Sequence, residues 1–374
     1  MSDHALRIFS AFVLHAASAG GIYVRLPEIQ AYLGISEAIY GLVLLAMPIG
    51  VLSGSLTVPK RIERFGAPRI IGFGLAIAGF LQIAVAVAPN SVVMALLLYV
   101  YGFAFAGANV GINVEANRYE ADTGSKIMSR CHGWWALGFL ATSLAAAGLI
   151  RLGVSPAMQF VGHAVLMAVL VSVLVLPMPN IPAPNAGKPA RRLAVPTLPV
   201  LMIGAWAVAG LLMEGTVRGW IVIYARDYFG ATEAMAALTL PTIILTQTIG
   251  RFTADHFVAR IGIVSVARGS AVVLALGVLV IVLASNTQIL LFGCLLIGLG
   301  IAINMPQAFA AAGRLADGNA TENVAAFATL STLIGFMGPP LFGVLAELIG
   351  LRIAFALVLP VAAVSYLMAR VLRS

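Results

Sequence analysis

Glu214 and Arg218 are the only charged residues between Arg192 and Arg226, and they lie four positions apart in an otherwise apolar run. That spacing puts both on one face of a helix, where a carboxylate and a guanidinium can pair. Glu214 lies about 15 residues past residue 199, roughly 22 Å along a helix of 1.5 Å rise. A charge at such depth in a lipid layer costs about 2.5–3.5 kcal/mol, so the acid must be protonated, paired or facing water. The chemistry this allows is loading and release of a proton, governed by making or breaking one contact with a cation. A static pair is the structural alternative, with Arg218 reaching toward the interface. His132, whose imidazole titrates near neutrality, is a second candidate carrier. Trp220 reads as an interfacial anchor.

Uncharged polar residues recur at helical spacing. Asn109, Asn113 and Asn117 form one stripe of amides, Asn304 and Gln307 flank Pro306, and Gln247 is a polar single in an apolar stretch. Asn109, Asn113, Gln247, Asn304 and Gln307 can bind hydroxyls or carboxylates of a solute, or serve as interhelical contacts. Pro306 frees a backbone carbonyl and kinks its helix. Glu115 and Arg118 are expected to pair with Arg64 or Lys60 across a loop. Arg25 and Glu28 flank Pro27 and read as solvated loop charges, with an external pair or a substrate-attracting rim as the alternatives, while His15 and His163 are lone histidines on apolar helices. Cys131 and Cys294 are isolated, and Cys131-His132 lacks a second Cys/His pair, so no metal and no cofactor are expected. No nucleophile arrangement or phosphate loop is present, and the reading is not an enzyme.

These residues need a membrane scaffold to position them. The chain is 61% hydrophobic and 10% charged, with mean hydropathy +1.02. Ordinary soluble domains are roughly 45–50% apolar and about 25% charged. Uncharged intervals bounded by charges and turns predict twelve spans: 6–24, 38–58, 69–88, 92–114, 129–150, 157–176, 199–223, 235–254, 263–284, 288–311, 323–346 and 351–371. The fold class is an all-α membrane protein of 12 transmembrane helices in two six-helix bundles, 1–176 and 199–374. They are joined by a Pro-rich basic linker, 177–198, that carries Lys188, Arg191 and Arg192. The first span reads as retained, not as a cleaved signal.

Of the 22 Lys and Arg, all but Arg25, Arg151, Arg218, Arg226 and Arg352 fall on the side shared by both termini. The positive-inside rule makes that side cytoplasmic. The net charge of +8 is then matched by anionic lipid head groups, and no nucleic acid partner is required.

An internal repeat supports the division into halves. Gly54, Thr57, Arg64 and Gly66 recur as Gly250, Thr253, Arg260 and Gly262. The same offset superimposes Tyr32, Gly34, Glu37 and Ala38 on Tyr228, Gly230, Glu233 and Ala234, and Ala88, Asn90 and Ser91 on Ala284, Asn286 and Thr287. Repeated halves in a hydrophobic chain are a transporter pattern.

Six spans, a basic Pro-rich loop, six more spans, and a Gly/Arg loop after spans 2 and 8 resemble the major facilitator superfamily over essentially the whole chain. Glu63-Arg64-Phe65-Gly66 matches the latter part of the family's loop signature, with Pro59 where glycine is usual. Gly250-Arg251, Asp255 and Arg260-x-Gly262 resemble its C-terminal counterpart. The resemblance implies a cytoplasmic gate of Glu63, Arg64, Glu115, Arg118, Arg251, Asp255 and Arg260, and a central cavity lined by spans 1, 4, 7 and 10. Glu214-Gly215 with Trp220, His132 and Gly338-Pro339-Pro340 also resemble small bacterial members distantly related to the fucose permease. The expected function is secondary transport of a small organic solute, such as a sugar, small acid or drug-like molecule, by alternating access. Protons move through Glu214, Arg218 and His132, and the protein is a monomer. An energy-independent facilitator, or a non-transporting sensor of the same fold, are the alternatives; the chain's stop at Ser374, just past the last span, favours transport.

Overall fold

The computed structural model describes residues 3–125, 127–180, 196–315 and 320–373, and all regular structure among them is helical. Lys126 and the core of the expected linker, 181–195, lie outside the described residues. The chain forms two compact units, Met1–Gly187 and Lys188–Ser374.

The first unit contains α1 (Asp3–Leu33), α2 (Glu37–Phe65), α3 (Ala67–Ala86), α4 (Ser91–Thr123), α5 (Met128–Arg151) and α6 (Pro156–Leu170), which continues as a π-helical turn, Val171–Val175. Its widened turn leaves carbonyls free, and Arg7 donates to two of them, Val173 O at 3.0 Å and Leu174 O at 3.4 Å. The second unit contains α7 (Leu198–Ile223), α8 (Glu233–Ala237), α9 (Thr239–Ile261), α10 (Ile263–Leu283), α11 (Thr287–Ile301), α12 (Asn304–Arg314), α13 (Ala320–Ile349), α14 (Leu351–Ala356) and α15 (Val358–Met368).

Eleven helices among the described residues are long and apolar enough to cross a membrane. The predicted eighth span falls outside that group. It corresponds to α8 and α9, and α9 carries Thr239, Thr242, Thr246, Gln247, Thr248 and, just past its midpoint, Arg251. Several of its hydroxyls are satisfied along the helix, Thr242 bonding Leu238 O at 2.7 Å and Thr248 bonding Ile244 O at 2.7 Å. At 23 residues α9 still covers membrane thickness.

Three of the predicted continuous spans are broken, and the breaks share a cause. Proline has no N–H to give the carbonyl four residues back, and its ring crowds that carbonyl. Pro241 stands four residues after Ala237, where α8 ends; Pro306 four after Ala302, just beyond α11; and Pro360 four after Ala356, where α14 ends.

The internal repeat has a physical meaning in each unit. Asn90 caps α4 by accepting from Val93 N at 2.9 Å, and its counterpart Asn286 caps α11 by accepting from Ile289 N at 3.0 Å. Ser36 and Thr232 do the same for α2 and α8. The tightest helix crossing is also repeated. A Cβ at Gly102 would strike the Met47 carbonyl oxygen, and a Cβ at Gly298 would strike that of Ile243, the same offset separating both residues from their counterparts. Close backbone approach through small residues is how helices pack where lipid supplies no hydrophobic drive.

Candidate functional site

Thr197 precedes α7 and Pro199 opens it, as suits a helix start. Fifteen residues past Pro199, Glu214 presents its Oε1 to two cations. Arg218 NH2, one turn further along α7, donates to it at 2.7 Å. Arg251 NH2 reaches it from α9 at 3.6 Å. The Gln247 amide, one turn before Arg251, faces the same carboxylate, and Gln247 is buried with Nε2 lacking a hydrogen-bond partner. The side chains are 17% (Glu214), 27% (Arg218) and 33% (Arg251) exposed, so the cluster is not sealed in dry packing.

The break between α11 and α12 completes the site. Pro306 leaves the Ala302 carbonyl without a helical donor, and Arg251 Nε approaches that oxygen at 3.4 Å. Asn304 opens α12 next to the break, buried, with Oδ1 unpartnered. Its carboxamide occupies the space that a Cβ on Gly210 would take, one turn before Glu214. α13 packs on the other side of α7: Gly335 O lies 3.5 Å from where a Gly215 Cβ would stand, and a Gly338 Cβ would lie 3.8 Å from Leu212 O. Glu214-Gly215 and Gly338-Pro339-Pro340 are therefore joined by close packing of two helices.

The repeat offset gives this cluster a built-in control. The counterparts of Glu214, Arg218, Gln247, Arg251 and Asn304 in the first unit are Ser18, Ile22, Val51, Ser55 and Ala108. The fold is built there without any of the five polar groups, so the scaffold does not require them.

The remaining expected residues are placed as follows. Asn113 Nδ2 donates to Asn109 Oδ1 at 2.8 Å and to Asn109 O at 2.9 Å, so part of the stripe's capacity is used internally. Gln307 is half-buried on α12. His132 is exposed at the start of α5, in the first unit, its ring edge-on to Phe12 at 5.5 Å. Glu63, Arg64, Asp255 and Arg260 are exposed, with Arg64 over the Phe65 ring at 5.1 Å. Arg251, expected with the gate, stands near the middle of α9 and reaches the Glu214 cluster.

Three local expectations are corrected, and His15 takes the packed role expected of it. Glu115 is buried and meets His4 Nε2 at 3.0 Å, in place of Arg64 or Lys60; Arg118 stays within electrostatic reach. Arg25 and Glu28 are not loop residues, since α1 runs on to Leu33. Arg25 is 1% exposed and donates to Gln159 Oε1 (2.7 Å), Glu28 Oε2 (2.5 Å) and Val154 O (2.6 Å). Trp220 is fully buried against Phe342, with ring centroids 5.6 Å apart, and is no interfacial anchor. His15 is a core residue with defined partners. Trp135 Nε1 donates to its Nδ1 at 2.9 Å, which leaves Nε2 to carry the proton toward Phe105 O at 3.2 Å.

Comparison with known proteins agrees with this architecture. The family model of the Major Facilitator Superfamily matches residues 8–336. The uncharacterized transporter y4wD of Sinorhizobium fredii is 29% identical over 98% of this chain and 97% of its own length. An uncharacterized MFS-type transporter of Yersinia pestis is 26% identical over 89% and 86%, and the membrane protein MosC of Rhizobium meliloti 23% identical over 90% and 82%. Among solved structures, a point mutant of the nucleoside transporter NupG superimposes with a TM-score of 0.79 at 16% identity, covering 99% of both chains. A bacterial homologue of the human lysosomal transporter Spinster, inward-facing and occupied, gives 0.74 at 12% identity, covering 99% of this chain and 96% of that one. With the family matched over most of its length and the fold shared, the chain belongs to the major facilitator superfamily of membrane transporters.

Proposed function

We propose that this transporter carries a small organic solute across the bacterial inner membrane by alternating access, coupled to protons through Glu214. The observation that carries the reading is the position of Glu214 between two guanidinium groups from different helices, Arg218 at 2.7 Å and Arg251 at 3.6 Å. The first is fixed one turn away on the same helix. The second depends on how α9 and the α11–α12 break sit beside α7, so a conformational change can alter the number of cations at the acid and with it the hold on a proton. Gln247 and Asn304, each with an unpartnered polar atom, supply solute contacts beside it. In this reading the protein works as a monomer, both termini are cytoplasmic, and the exposed basic ends meet anionic lipid.

The test begins with a thermal-shift screen of the purified protein against metabolites and drugs at two pH values, since a ligand of the folded state raises apparent stability. With a solute so found, Glu214→Gln in reconstituted vesicles abolishes accumulation driven by a pH gradient and leaves counterflow exchange intact. Accumulation unchanged by the substitution overturns the assignment.

A further inference from the structure

We infer that the Glu214 cluster selects a solute bearing a single carboxylate, anchored by Arg251. This rests on the preceding reading that the cluster is the transport site, and adds to it the chemical class of the cargo.

Charge is the first argument. One carboxylate faces two guanidinium groups, which leaves one positive charge in excess within a helix bundle that spans lipid. An uncompensated charge in such surroundings is costly, and one monoanion neutralises it. Of the acids on the surrounding helices, Asp255 stands one turn beyond Arg251 on α9 and is exposed, apart from the pairs that Glu214 makes; Asn304 comes from α12, and Gly335 and Gly338 from α13. Several other cations of the unit are engaged elsewhere. Arg226 holds Asp227, Arg268 lies over the Tyr366 ring at 5.1 Å, Arg314 NH2 reaches Leu372 O at 3.4 Å, and Arg352 bonds Val282 O and Tyr228. A second anionic group on the solute would exceed the single positive charge left over in the cluster.

Geometry then separates the two arginines. Arg218 is committed to Glu214 by a short charge-assisted bond. Arg251 stands beyond ordinary hydrogen-bond length from that acid and is held by its Nε against Ala302 O. Its terminal amines form the planar fork that matches a carboxylate in bidentate fashion. Gln247 Nε2, buried, unpartnered and one turn away on α9, is a third donor facing the same place, and the unpartnered Asn304 Oδ1 can accept from a hydroxyl or amine of the solute. A buried donor left without a partner carries a desolvation penalty, and a bound carboxylate removes it. The site thus rewards an anion and penalises its neutral analogue.

The experiment uses the purified full-length protein and three matched series as probes: acetate, lactate and benzoate, their amides, and their methyl esters, with succinate added as a dianion. Expected is a rise in the unfolding midpoint with at least one monocarboxylate, none with its amide or ester, and less with succinate. Arg251→Gln weakens the acid's binding by about tenfold or more, the loss of one charge-assisted contact. Arg251→Lys recovers part of it. In wild-type protein the same acid slows modification of Arg251 by phenylglyoxal, a readout that does not depend on the variants folding. The inference is overturned if none of the acids shifts the midpoint, if the amides act equally, or if binding survives Arg251→Gln undiminished. Glu214→Gln retains acid binding; a variant that binds the acid and still accumulates it with the pH gradient rejects the coupling role of Glu214 and leaves the carboxylate assignment standing.

Discussion

Arg251 Nε meets the Ala302 carbonyl at 3.4 Å because Pro306, four residues further on, cannot donate to it. The helix break and the second cation of the site are thus one structural unit. Replacing Pro306 with Ala returns the missing N–H, so the helix can close through Ala302 and Arg251 loses its tether. The expected result is a protein stabilised by up to about 3 kcal/mol, the cost of an interior proline, with solute flux reduced several-fold. Thermal unfolding in detergent and vesicle uptake measure the two effects.

The Glu214–Arg218 pair should show the asymmetry of ion pairs shielded from water. Arg218→Gln leaves the acid with the longer contact to Arg251 and the facing Gln247 amide, and removing one partner of a buried pair costs about 3–5 kcal/mol at the upper limit. Partial exposure of both side chains reduces this substantially. Glu214→Gln combined with Arg218→Gln removes the stranded charge, so the double variant unfolds at a higher temperature than Arg218→Gln alone. Equal midpoints for the two would show that the pair is fully solvated.

Residues joined within one helix were legible in the sequence. The Glu214–Arg218 spacing and the Asn109–Asn113 stripe are local, and local geometry follows from helical periodicity. Contacts between helices were not. Glu115 meets His4, and Arg25 meets Gln159, across separations of 111 and 134 positions for which one sequence carries no pairing signal. Arg251 is the instructive case. Its place in a repeated loop motif suggested a gate, yet the two copies differ there, Ser55 against Arg251, and that difference was the available sign of a role particular to the second unit. Trp220 was misread because aromatic residues near a span's end are commonly interfacial, whereas α13 and the Phe342 ring enclose this one.

The repeated helix crossings give a stability prediction with an internal control. Gly102→Ala and Gly298→Ala each place a methyl against a backbone carbonyl that cannot swing aside, and overpacking of this kind costs about 1–3 kcal/mol. Gly148→Ala meets nothing within 4 Å and should be neutral or slightly stabilising, as alanine favours a helix. Unfolding midpoints of the three variants, compared under one detergent condition, test the crossing geometry of each unit.

The His15 arrangement predicts the effect of deleting a single donor. Trp135→Phe keeps the ring and removes the N–H that meets His15 Nδ1, leaving a buried acceptor unsatisfied at about 1–3 kcal/mol. Trp135→Phe together with His15→Phe removes both polar groups and should recover part of the loss. A double-mutant cycle of unfolding midpoints isolates the coupling between the two side chains.

The central claim is that Glu214 takes up a proton, and infrared difference spectroscopy of the reconstituted protein tests it whatever the solute proves to be. Stepping the pH downward should produce the carbonyl stretch of a protonated carboxyl in wild-type protein, and Glu214→Gln should remove one such band while leaving any contribution from other acids. Identical difference spectra for the two proteins across the accessible pH range would mean that Glu214 stays ionised throughout, and would contradict the account.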